Sequence, residues 1–108
     1  MKKFDALEVA LLLVGALREP LEEIRRREGN LADQARRAAT SVALNISEGS
    51  RRTGRDRSHL FKVAAGSASE AETALRIAEA WGYLDRGSLV PIYQLLDRLG
   101  AMLYRLSR

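Results

Sequence analysis

Cysteine is absent from the 108 residues, so neither a disulfide framework nor a thiolate metal site can be built. Histidine occurs once, as His59. A Cys–His pair is therefore impossible, and so is a di-metal bundle centre, which draws Glu-x-x-His pairs from two helices. Proline occurs twice and aromatics make up 6% of the chain, which leaves room for long unbroken helices. Val, Ile, Thr, Tyr and Phe are sparse, and strands lack raw material. No stretch approaches the ~20 apolar residues that span a bilayer. Met1-Lys2-Lys3 followed by Val9 to Leu17 has the outline of a signal peptide. However, Asp5 and Glu8 interrupt the apolar run, and no small-x-small cleavage site follows Leu17. The expectation is an amphipathic core helix in a cytoplasmic protein without membrane contact.

What is present is helix-forming material. Hydrophobic residues make up 46% and charged residues 30%, a globular balance that argues against disorder. Alanine, leucine, arginine and glutamate dominate, and all four favour helix. The length supports one domain, 1–108, with a real core. The fold class expected is all-α, an up-down-up-down antiparallel four-helix bundle with helices at about 5–28, 30–48, 57–81 and 88–107.

Four apolar seams carry that expectation. The first runs through Leu7, Ala10, Val14, Leu17, Leu21 and Ile24, in alternating steps of three and four. Asp5 stands where a cap would, with Glu8 in the capping-box position. Pro20 should kink this helix, because the seam keeps its phase across it. Glu28-Gly29-Asn30 reads as its end, with Gly29 supplying a left-handed turn. The second seam is Leu31, Ala35, Ala38, Val42, Asn45 and Gly49; Gly49 to Arg55 then forms the one clear loop. Asp56 is placed to cap the third helix, whose seam is Leu60, Ala64, Ser67, Ala71, Ala74, Ala78 and Trp81. Ser88 is placed to cap the fourth, with Pro91 in its first turn and Leu89, Ile92, Leu96, Leu99, Leu103 and Leu106 inward. The second and third helices carry small residues, so they should pack as a tight hairpin. Trp81 and Tyr83 are expected to anchor the turn at Gly82. The Ala64–Ala71 face, small throughout, suits a close helix crossing inside one chain or between chains.

Charge is unevenly distributed. The chain carries +4 overall, with an isoelectric point near 10.0. Between positions 36 and 62 seven basic residues, Arg36, Arg37, Arg51, Arg52, Arg55, Arg57 and Lys62, face only Glu48 and Asp56. The basicity is local, and guanidinium forks beside glycines suit phosphate oxygens. Two readings stay open: contact with RNA or DNA backbone, or pairing with acids on a neighbouring subunit. No aromatic is interleaved in sequence with these arginines, so base stacking is not indicated and binding should be weakly sequence-selective.

No catalytic set emerges. A Ser-His-Asp triad would need His59 beside Ser58 in a polar first turn, where a surface histidine is the ordinary reading. Glu70 and Glu72 are two apart on a helix and point to different faces. Asn45 falls within a seam, where an unpaired amide is costly. The expected answer is a structural polar network, at the bundle centre or a subunit interface, in which Arg37 and Asn45 donate to Glu70 or Glu72, with Glu48 nearby. No enzyme activity, cofactor or metal is expected.

Two stretches are more specific. Gln34-Ala35-Arg36-Arg37-Ala38-Ala39-Thr40-Ser41-Val42-Ala43-Leu44-Asn45-Ile46-Ser47-Glu48-Gly49 is followed by Ala65-Gly66-Ser67-Ala68-Ser69-Glu70-Ala71-Glu72, and then by Gly82-Tyr83. In order and spacing they resemble the four-helix bundle family also called 23S rRNA intervening-sequence protein. The accessory variability determinant of diversity-generating retroelements is a similar relative. The resemblance runs from about Asn30 to Tyr83, and departs where Ala43 replaces a proline, Ser47 an alanine and Ala35 a leucine. It implies a four-helix bundle assembled into a ring, commonly a homopentamer, without known enzymatic activity. Partners implied through the retroelement relatives are nucleic acid and a reverse transcriptase. A protein-interaction scaffold whose basic surface docks such a partner is the alternative to direct nucleic-acid contact.

Overall fold

The computed structural model describes residues 3–108, with side chains from Asp5 onward; the Met1-Lys2-Lys3 opening lies outside the described side chains. Five helices follow one another: α1 (Lys3–Ala16), α2 (Arg18–Arg27), α3 (Gly29–Gly49), α4 (Gly54–Ala80) and α5 (Arg86–Leu106). The first two form a single kinked rod. With α3, α4 and α5 they close a four-rod bundle in the neighbour order α1/α2, α3, α4, α5 and back to α1. Its extents are 42 × 23 × 19 Å. Among the described residues no helix is long and apolar enough to cross a membrane.

Pro20 explains the kink. It has no N–H to give the carbonyl of Ala16, and the interruption is confined to Leu17. The Leu17 amide is shared between the carbonyls of Leu13 (3.1 Å) and Val14 (3.2 Å), and the Leu21 amide returns to Leu17 at 2.9 Å. Leu17 and Ile24 are both fully enclosed, so the rod bends without losing phase. The turn that follows departs from expectation. Left-handed backbone occurs, among described residues, only at Gly54 (φ 60°) and Gly82 (φ 81°). Gly29 opens α3, and the reversal is made by extended Glu28 (φ −155°, ψ 96°).

The first seam is also rotated. Ala6, Val9, Ala10, Leu13 and Leu17 are buried, whereas Val14 is 37% exposed and Leu7 lies at the margin. Leu11 to Val14 is continuously apolar, and periodicity cannot phase a helix that is apolar all round. Contact with both α3 and α5 chooses the face instead.

α3 and α4 form the most intimate pair in the molecule. Buried Ala35, Ala38, Ala39 and Val42 on α3 and Ala64, Ala68, Ala71, Ala74 and Ala78 on α4 provide the small surfaces that permit it. Among described residues one side-chain hydrogen bond, between Ser41 Oγ and Ser67 Oγ at 2.8 Å, crosses between them. The bulk in this hairpin comes from Phe61 and Leu75, both fully buried and neither on the expected seam. Gly66 is exposed, and a Cβ built there meets nothing within 4 Å, so no helix crossing within the chain depends on it.

α5 keeps its seam: Leu89, Ile92, Leu96, Leu99 and Leu103 are buried, joined by Met102. It begins at Arg86 behind Asp85, which puts Pro91 in the second turn rather than the first. The side chains expected to cap lie inside their first turns. Asp5 follows a helix start at Lys3, Asp56 follows Thr53-Gly54, and the Ser88 hydroxyl donates to the Asp85 carbonyl at 2.8 Å. Tyr83 does anchor the α4–α5 connection, its hydroxyl donating to Glu28 Oε1 at 3.0 Å. Trp81 does not: it is 69% exposed, because α4 runs out one residue before it and the chain turns inward only at Gly82.

Candidate nucleic-acid interface

The α3–α4 turn collects four of the expected cations. Left-handed Gly54 reverses the chain, so Arg51 and Arg52, trailing α3, meet Arg55 and Arg57, leading α4, at one end of the bundle. Arg52 is tied to Glu48 Oε2 through Nε (3.0 Å) and Nη2 (2.7 Å). That hydrogen bond, with the Arg52 charge behind it, holds the Glu48 carboxyl below the usual carboxylate range and raises Arg52 in turn. Arg51 reaches only the Ser47 hydroxyl at 3.4 Å. Arg57 lies over the Phe61 ring, 5.8 Å from its centroid. Among described residues none of Arg51, Arg55 and Arg57 hydrogen-bonds to a carboxylate, although the Arg51 charge also helps to hold Glu48 down. The first turn of α4 adds donors, since its cap residue Thr53 makes no side-chain hydrogen bond to the open amides. Asp56 is the only acid in that turn.

The remaining expected cations lie elsewhere. A rise of about 1.5 Å per residue sets Arg36 and Arg37 roughly 20 Å up α3 from Arg51. There they border a shallow recess with Thr40, Ser41, Leu44 and Asn45. Lys62 is on the other side of α4, in a groove against α5. The seven residues are thus one cluster of four, a distant pair in Arg36 and Arg37, and Lys62 in the neighbouring groove.

The five-residue polar network does not form within the chain. Asn45 Nδ2 donates to the Ser41 carbonyl (2.9 Å) and hydroxyl (3.0 Å), so its amide is satisfied by its own helix. Glu48 goes to Arg52, and Glu72 accepts from Arg76 Nε at 3.1 Å, each one turn along its own helix. Arg37 and Glu70 are exposed. The polar link between α3 and α4 is the serine pair, which needs only two short side chains where the helices approach too closely for long ones.

Two further cationic or aromatic side chains join the basic end without any local sequence signal. The Ser58 hydroxyl donates to the carbonyl of Ser107 at 2.6 Å, clasping the end of α5 to the start of α4. Arg108 and Tyr104 are thereby brought beside Lys62. Only topology could have found them: with four rods, the chain's end returns to the same side as the α3–α4 turn. The same clasp commits Ser58 to a carbonyl, while His59 is exposed. Among described residues no three His, Asp or Glu side chains come together as a metal would require.

A profile of the family described as 23S rRNA-intervening sequence protein matches residues 3–105. The chain belongs to that family. Among solved structures, a protein of unknown function from the S23 ribosomal protein family of Bacteroides thetaiotaomicron superposes with a TM-score of 0.84. The match is 19% identical and covers 95% of this chain and 98% of that one, which establishes a shared fold. No curated protein matches. The matched span takes in both the Gln34–Gly49 and the Ala65–Glu72 stretches.

Proposed function

We propose that this family member is a non-enzymatic nucleic-acid-binding protein, working as a homo-oligomer and holding RNA or DNA by its phosphates with little sequence selectivity. The observation that carries this reading is the gathering of Arg51, Arg55 and Arg57 at one turn, none of them hydrogen-bonded to a carboxylate among described residues, beside an uncapped helix start. Guanidinium forks and open amides converging on one point suit phosphate oxygens. An arginine loop serving only to pair within its own chain would resemble Arg52 and Glu48 throughout. The ring of five that the family resemblance implies would repeat this turn and multiply its field. Outward-facing Leu11, Val14 and Leu44 supply apolar surface for such an assembly.

Titration of labelled RNA and DNA at two salt concentrations tests the reading. Binding should weaken steeply with salt, and Arg51→Glu/Arg55→Glu should cut affinity and flatten the logarithmic salt slope by about two. Absence of binding at low salt, or binding indifferent to salt, would overturn it.

A further inference from the structure

We infer that Tyr104 is a base-stacking platform flanked by phosphate-holding Lys62 and Arg108, giving the protein a preference for single-stranded over duplex nucleic acid. This rests on the reading that the basic end binds nucleic acid, and it names the form of nucleic acid that end accepts.

Three tyrosines allow a comparison. Tyr83 and Tyr93 are partly buried against the core, and their hydroxyls donate to Glu28 (3.0 Å) and Glu79 (3.1 Å). Tyr104 is 66% exposed, takes no part in the core, and its hydroxyl has no partner among described residues. A large ring left in water with no packing role calls for another explanation.

Its surroundings supply one. Tyr104 borders a groove of about 510 Å³ between α4 and α5, with Lys62, Ala65, Gly100, Ser107 and Arg108. No carboxylate lines it, in contrast to the grooves beside α1 and α2, which hold Glu8, Glu19 or Glu22. A helical side chain leans back over the preceding turn, so the Tyr104 ring lies over the turn that holds Gly100. A Cβ built on Gly100 meets nothing within 4 Å, and the space beside the ring is open. The guanidinium of Arg108 lies over the ring, 5.5 Å from its centroid, and so covers one face. A base entering over Gly100 would meet the remaining face, with the cation behind the ring. The Ser58–Ser107 clasp joins this groove to the arginine turn, so a strand stacked on Tyr104 leads its phosphates toward Arg57 and Arg55. Exposed aromatics along a cationic track are how sequence-tolerant single-strand binders gain affinity, and a duplex keeps its bases stacked on one another.

The test measures fluorescence anisotropy of a short single-stranded oligonucleotide and of a duplex of equal length, with the oligomeric state of each protein followed by sedimentation. The native chain should bind the single strand more tightly. Tyr104→Ala should lose roughly ten-fold or more for the single strand and little for the duplex. Tyr104→Phe should retain the preference, and Gly100→Leu, which fills the open side, should abolish it. Equal binding of both forms by the native chain, or an unchanged preference in Tyr104→Ala, overturns the stacking assignment and leaves the phosphate reading intact. Loss of both binding and assembly in Tyr104→Ala makes the ring a contact between copies and likewise overturns it. Failure of the native chain to bind either form at low salt defeats the phosphate reading as well.

Discussion

Gly49 shows what one atom decides in this bundle. It closes α3 with ordinary right-handed backbone, so conformational freedom is not its purpose. A Cβ built there would lie 2.9 Å from Phe61 Cε1 and 3.3 Å from Leu60 Cβ. Phe61 is fully buried and flanked by Arg57 on its outer side, so the ring has little room to retreat. Gly49→Ala should therefore cost about 1–3 kcal/mol despite alanine's better helix propensity. Denaturant midpoints will show it, and Phe61→Leu should recover part of the loss when combined with it. Gly66→Ala is the control: with open space around it, that change should add up to about 1 kcal/mol. A Gly49→Ala protein as stable as the native one would remove the steric account. The sequence marks Gly49 as a seam position and a loop boundary, but it does not show the close contact, because Phe61 arrives from across the hairpin and leaves no trace at local spacing.

At the scale of elements, the Glu79 carboxylate ties α4 to α5 beside the Tyr83–Glu28 anchor of their connection. Glu79 accepts from Arg86 Nε at 2.8 Å and from the Tyr93 hydroxyl at 3.1 Å. The Arg86 hydrogen bond holds Glu79 below the ordinary carboxylate pKa, whereas burial, then Glu79 itself, pushes Tyr93 up to about 12. The signs give the pH window. A depressed carboxylate contributes stability above its unfolded value, and that contribution is lost as pH falls through its folded one. A raised phenol contributes fully below pH ~10 and loses its contribution as pH climbs to about 12. Thermal stability should thus sag at both extremes, and Glu79→Gln should flatten both limbs. Unaltered acid and alkaline limbs in that variant would mean that the connection is held by packing alone. None of this is legible in periodicity, which placed the α5 seam correctly through Leu89, Ile92, Leu96, Leu99 and Leu103. Apolar spacing reads well where one face is apolar and the other charged, as in α5. In α1, apolar without a break from Leu11 to Val14, it placed Ala10 and Leu17 inward correctly but took Val14 in place of Leu13, and it could not foresee that Asn45 would be satisfied by Ser41 within its own helix.

For the whole molecule, the pattern of exposed apolar surface matters more than its total. Leu44 is 64% exposed and Val14 37%, on adjacent rods. The recesses they border share Arg36 and Thr40, so the two side chains belong to one continuous face across α1 and α3. Leu11 extends it by one turn. Four-rod topology made the arginine turn's position readable from the sequence, but which side of the bundle stays uncovered depended on how α1 rotated. Burying this face against a second copy would relieve the exposure and set the basic ends side by side. Val14→Glu/Leu44→Glu tests that arrangement without disturbing the chain's own core. Helical content should be preserved, because both sites already face water, while sedimentation should shift from an assembly several times the 12.0 kDa chain mass to the single chain. Nucleic-acid affinity should fall with it, since arginine turns acting together bind one strand far more tightly than each does alone. A native protein that sediments as one chain, or a doubly charged variant that still assembles, would move the interface to a different face.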